Sequence, residues 1–158
     1  MIKKILSSLA IIVALGFSGV ASAQNLYVQP SIGASVVNNA TTADWAINKT
    51  LDQQYSLAIG KDISPNFAVE EQTVYAKVVD QSVVLETINL KVGILPLVYV
   101  KAGVGLGGVP SETTYGLAYR GSIGTTSLKP IDLSVGVVNA SKVGITNQLV
   151  VSVGLKID

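Results

Sequence analysis

The sequence has no cysteine and no histidine. Without cysteine, no disulfide framework can hold the fold together. Without histidine, the commonest general base and the commonest transition-metal ligand are both missing. Charge is scarce as well. The 11 Lys and Arg and 10 Asp and Glu make up 13% of 158 residues, where soluble domains average about 25%. The basic residues exceed the acidic ones by only one and are not clustered, which excludes a nucleic-acid footprint. After the first residues no stretch reaches 18 consecutive apolar residues, so no transmembrane helix is predicted. Too little charge to cover a wet surface, and no membrane helix, leaves the medium around the chain to be decided by its pattern.

What is present begins with MIKKILSSLAIIVALGFSGVASAQ. Lys3 and Lys4 form a positive region, Ile5 to Phe17 is largely apolar but short of the roughly 20 residues of a membrane span, and Ala21-Ser22-Ala23 is a small-residue cleavage site. This predicts a secretory signal peptide over 1–23 and a mature chain from Gln24, forming one domain over 24–158. No cysteine stands at the cleavage point to carry a lipid.

Apolar residues then recur with period two. Leu149, Val151, Val153, Leu155 and Ile157 alternate with Val150, Ser152, Gly154 and Lys156. Ile131, Leu133, Val135 and Val137 alternate with Asp132, Ser134 and Gly136, and Tyr115, Leu117, Tyr119 and Ile123 share one face. This is β-strand patterning. Turn clusters at Asp62-Ile63-Ser64-Pro65-Asn66 and Ser127-Leu128-Lys129-Pro130, and the break at Leu95-Pro96, divide it. The pattern predicts eight strands, over 25–37, 54–61, 67–78, 83–93, 97–107, 113–123, 131–139 and 147–157. Short connections favour antiparallel neighbours. The longest connection, Asn38 to Gln53, is polar and rich in Asn and Thr.

The polar face consists of Gly, Ser, Thr, Gln and Ala with isolated charges. A water-facing surface would be richer in Lys and Glu, whereas the narrow interior of a small barrel needs small residues with a few larger ones among them. The pattern therefore reads as a membrane barrel, aliphatic outside and polar or small inside. By alternation Glu70, Lys91, Lys101, Arg120, Asp132 and Lys156 point inward. They are expected to form a salt-bridged plug with Glu70 near Arg120 or Lys101, unless some sit in water at the barrel ends. Glu71 and Glu86 fall on the aliphatic face, which implies either a register slip at a bulge or a place near the headgroups.

The stretch YVKAGVGLGGVP contains G-x-G-x-x-G at Gly103, Gly105 and Gly108. A dinucleotide loop needs a helix N-terminus directly after it. Here Val109-Pro110-Ser111 and another alternating strand follow, so the glycines read as room inside a crowded barrel.

The signal peptide, NLYVQPSIGASVV, SLAIGKDISPNFAVE, VYVKAGVGLGG and the final LVVSVGLKI carry a resemblance that covers essentially the whole mature chain. The chain resembles the small outer-membrane β-barrels of Gram-negative bacteria, the OmpA-like, OmpX-like and opacity-type group. The resemblance implies an all-β, eight-stranded antiparallel up-and-down transmembrane barrel with both ends in the periplasm. It also implies that Asn38 to Gln53 is the main external loop. The implied partners are outer-membrane lipid and lipopolysaccharide and the outer-membrane assembly machinery; no external ligand is named. Family members commonly end on an aromatic residue; this chain ends Leu155-Lys156-Ile157-Asp158, which implies recognition through an internal aliphatic pattern.

Enzymes of similar architecture rely on histidine. A Ser-Lys pair can replace Ser-His, but the consecutive Ser141-Lys142 in a predicted turn reads as solvated loop. The expectation is no enzyme, no cofactor and no metal. An eight-stranded interior is filled by side chains, which argues against a diffusion pore. The leading reading is a structural or surface-interaction barrel of the outer membrane. Trp45 in the first loop serves as a recognition anchor or an interface anchor. The alternative is a soluble periplasmic β-barrel binding a small apolar ligand.

Overall fold

A computed structural model describes residues 25–36, 52–78, 81–112, 114–128 and 130–158. The predicted signal peptide and Trp45 lie outside these residues, as does most of the first connection. The described chain forms eight strands: β1 (Leu26–Val36), β2 (Asp52–Ser64), β3 (Phe67–Val78), β4 (Gln81–Leu95), β5 (Val98–Gly108), β6 (Tyr115–Leu128), β7 (Ile131–Ala140) and β8 (Ile145–Leu155). Each pairs antiparallel with the next, and β8 returns to β1 to close a barrel. Closure leaves no unpaired sheet edge, which is what allows strands to stand in lipid.

The turn clusters are smaller than the sequence suggested. Only Pro65 and Asn66 separate β2 from β3, because Asp62 to Ser64 stay in the ladder across a register shift. A second shift between Thr125 and Leu128 likewise carries β6 on to Leu128. Bulges let a strand bend at a barrel rim without ending. Asp52 and Gln53, placed by the sequence in the first loop, belong to β2. The closing seam has the fewest paired residues. Ser31 to Val36 pair with β8, and Val28 bridges Ile157 through two hydrogen bonds of 2.9 Å. Between them stands Pro30, which has no N–H to donate.

Period two sorts the side chains into two faces. Outside, Ile32, Leu57, Ile88, Val104, Leu117, Ile123, Val135 and Val151 are all exposed. Inside, Glu70, Gln72, Asn89, Lys101, Asp132 and Gln148 are buried. A soluble barrel binding an apolar ligand would have the opposite arrangement, so that alternative is overturned. The exterior tyrosines Tyr55, Tyr75, Tyr115 and Tyr119 all lie toward the end opposite the Pro65–Asn66 turn, where β2 and β6 begin and β3 ends. Tyr55 and Tyr75 are register partners, and their hydroxyls bond Gln53 Oε1 at 2.9 Å and Ser82 Oγ at 2.7 Å. Such a girdle suits a membrane–water boundary. Glu71 and Glu86 do face outward. The ladder through them is regular, so no bulge turns them in.

The interior has two layers. Toward the turn end it is polar. Toward the loop end it is an apolar cluster that includes Val74, Val83, Leu85, Val138 and Val150. The β7–β8 connection, a single 3-10 turn at Ser141–Val143 ended by left-handed Gly144, tucks Val143 and Ile145 into that cluster. Valine occurs on both faces, so this layer could not be separated from the lipid face by composition.

The glycines have a specific use. The Tyr27 ring lies across Gly60, its register partner on β2. Tyr99 lies across Gly124, Asn89 across Gly103 and Leu85 across Gly107, each again a register partner. A large inward side chain thus occupies the space that a Cβ on the next strand would need, the large–small alternation of narrow barrels. At outward Gly121 an added Cβ would meet nothing within 4 Å. Gly60→Ala should therefore destabilise the barrel by about 1–3 kcal/mol through overpacking. Gly121→Ala should be neutral or stabilise it by up to about 1 kcal/mol, as expected for glycine in a strand. Urea unfolding of the two variants in detergent checks the contrast.

Candidate functional site in the barrel lumen

The inward charges come from different strands and meet in the polar layer. Glu70 on β3 is fully buried. Its Oε2 accepts a hydrogen bond from Lys101 Nζ on β5 at 2.9 Å, and its Oε1 accepts one from the Tyr27 hydroxyl on β1 at 2.5 Å. Lys91 Nζ on β4 stands 3.8 Å from Glu70 Oε1 and donates to Asp132 Oδ2 on β7 at 3.3 Å. Asp132 Oδ1 accepts from the Tyr99 hydroxyl at 2.6 Å, and Lys91 Nζ sits 3.9 Å above the Tyr99 ring. Both carboxylates are thus held by a cation and a phenol. This is the condition under which burying a charge is tolerable.

Two of the six predicted residues adjoin this cluster without an ion pair to its carboxylates among the described residues. Lys156 lies just beyond β8 at the turn end, paired with Asp62 at 2.6 Å and Asp158 at 3.4 Å, with its Nζ 4.0 Å from the Tyr27 ring. Arg120 is buried in the lumen, but its Nε and Nη1 meet no hydrogen-bond partner. Glu70 is bonded to Lys101 rather than to Arg120. The sequence reading missed Tyr27, Tyr99 and Asp62. The signal for Tyr27 was available, since it alternates in phase with Gln29 and Ser31.

Neutral side chains of β1, β2, β3 and β8 also bond one another in the lumen. Ser31 and Ser56 hydroxyls bond at 2.5 Å, Gln72 Nε2 donates to Ser56 at 2.9 Å, and Gln54 Nε2 donates to Gln148 Oε1 at 3.0 Å. At the turn end a cavity of about 530 Å³ opens between Asn25, Asp62, Asn66, Lys91, Tyr99 and Lys156. Ser141 and Lys142 are exposed, and the Lys142 stem lies across Gly116, so they do not form a nucleophile–base pair directed into a pocket. Gly103, Gly105 and Gly108 lie within β5, and no helix follows them, so no phosphate loop is formed.

Among solved structures, the barrel is similar to a de novo designed transmembrane β-barrel, with a TM-score of 0.56 at 9% identity over 84% of this chain and 94% of that one. The fold is that of a small transmembrane β-barrel. It is also similar to Ail, the attachment invasion locus protein of Yersinia pestis, with a TM-score of 0.53 at 10% identity over 83% of this chain and 94% of that one. Neisserial surface protein A gives a TM-score of 0.50 at 14% identity over 86% and 98%. No protein-family model and no curated protein matches the sequence. At these identities the likeness is one of backbone path, and the lumen chemistry must be argued from this chain alone.

Removing the Glu70 charge leaves Lys101 buried without its counter-charge. Glu70→Gln should cost about 3–5 kcal/mol, the loss typical of a broken buried pair. Adding Lys101→Met should recover most of it. A double-mutant cycle by urea unfolding reads the coupling, which should exceed that between Glu70→Gln and Arg120→Met.

Proposed function

We propose that this protein is an exported outer-membrane barrel with a structural or surface-interaction role and no catalytic one. One observation carries the reading: the exterior is aliphatic around its circumference and, apart from outward-facing Glu71 and Glu86, the charges lie in the lumen or toward the rims. In water such a surface would aggregate; in lipid it is solvated. The tyrosine girdle at one rim supports the same placement. The signal pattern of 1–23 supplies export, the outer-membrane assembly machinery supplies insertion, and lipid with lipopolysaccharide supplies the surroundings.

The barrel is not proposed as a pore. The charge cluster acts as a plug, held by the contacts of Glu70 and Asp132, and the apolar layer closes the lumen above it. Recognition then falls to the connections at the loop end, with the segment around Trp45 as the main external loop. Two of the similar barrels are named for attachment and for the cell surface, in keeping with this role. Ail has also been solved with the heparin analogue sucrose octasulfate. That polyanion is not carried over, because residues 38–51 hold one cation, Lys49, against Asp44.

In cells of a Gram-negative host, the protein should start at Gln24, appear in the outer-membrane fraction and migrate faster on gels before boiling than after. Protease added to intact cells should cut within 38–51 and leave the barrel whole. Recovery in the soluble periplasmic fraction would reject the proposal. A second measurement reads the lipid face. Val135→Arg should lower stability by about 2–4 kcal/mol if that position lies near mid-bilayer, while Val135→Leu should be silent.

A further inference from the structure

The closed middle of the lumen holds an odd charge. Among the described residues, Lys91, Lys101 and Arg120 are buried there with two buried carboxylates, Glu70 and Asp132. Both carboxylates are already engaged. Glu70 serves Lys101, Tyr27 and Lys91, and Asp132 serves Lys91 and Tyr99. Arg120 is left over, 9% exposed, with Nε and Nη1 finding no acceptor among the described residues. An arginine cannot shed its charge to relieve this. Nor can it reach water at the loop end, since Ala118 on its own strand and Val138, its register partner on β7, belong to the apolar layer beside it. A second orphaned donor, the Ser122 hydroxyl, lies two residues along the same inward face.

We propose that Arg120 binds a small monovalent inorganic anion of the halide class in the lumen. The charge imbalance sets the valence: one negative charge neutralises the layer, and a divalent anion would reverse the excess. The packing sets the size, because an eight-stranded lumen is filled by side chains and has no room for an organic acid. Arg120 Nε–H and Nη1–H are the principal donors, with the Ser122 hydroxyl as a further one. Entry is from the turn end, where the 530 Å³ cavity is lined by Lys91 and Lys156 with one carboxylate, Asp62, which is paired with Lys156. Water could satisfy the donors, but it would leave the charge unbalanced. The site does not depend on any surface partner.

The test is unfolding of the full mature barrel in zwitterionic detergent at fixed ionic strength, with sodium bromide replacing sodium gluconate. Above its dissociation constant, each tenfold rise in bromide should multiply the folding equilibrium constant by about ten. A crystal grown in bromide should show its anomalous peak within hydrogen-bond distance of Arg120. Arg120→Met should fold without this dependence. Ser122→Asp, which puts a carboxylate beside Arg120, should lose it too and carries the test if Arg120→Met does not fold. A wild-type equilibrium indifferent to bromide would overturn the proposal, as would a dependence that survives in either variant.

Discussion

A carboxylate with no exposure to solvent needs its charge matched and its lone pairs filled, and Glu70 has both. Lys101 and Tyr27 bond it directly, Lys91 stands beside it, and these three partners come from β5, β1 and β4. Lys91 passes the connection on to Asp132, which holds Tyr99. A continuous path of polar contacts therefore crosses the lumen from β1 to β7. In a dry interior such a path strengthens the fold only when complete, since a half-satisfied network is worse than none. The positions of five strands are tied to this one side chain and its neighbour.

The lumen carries this weight because the exterior cannot. Lipid tails solvate Leu57, Val104 or Val135 as well as another aliphatic side chain would, so the outer face keeps the barrel in its medium but does not select one arrangement of strands. The hydrogen-bond ladder selects closure, since no backbone group may stay unpaired in hydrocarbon. What remains to be specified is which strand offset the closed ladder adopts and what fills it. Those choices rest with the polar network below and the apolar layer above.

The two faces and the number of strands were legible in the sequence because period two depends only on the backbone. Alternation alone put Glu70, Lys101, Arg120 and Asp132 inside, where they stand. It could not say who meets whom. Strands in a barrel are tilted and offset, so contacts across the lumen depend on the register of every ladder between them. Hence Glu70 bonds Lys101 rather than Arg120, a distinction no spacing reveals. The apolar layer was illegible for another reason. Alternation puts Val74, Val83 and Val150 inward, but their side chains are of the same type as those of the lipid face, so composition does not mark a separate layer, and Val143 comes from a connection whose inward fold has no strand period to announce it. Strand ends were misplaced at Asp62–Ser64 because a bulge accepts the residues a turn would use.

The pairing of large inward side chains with glycines bears on how the barrel measures its own girth. Sliding β1 past β2 by two residues would keep every aliphatic side chain outside and rebuild the ladder, so neither lipid nor backbone would register the error. It would, however, set Tyr27 against Ala58 or Asp62 instead of Gly60, and the ring would meet a Cβ. The same error between β5 and β6 would move Tyr99 off Gly124. The sum of such offsets around a closed sheet is its shear, and shear with strand number fixes the radius. The glycines at positions 60, 103, 107 and 124 thus act as index marks that hold the circumference to one value.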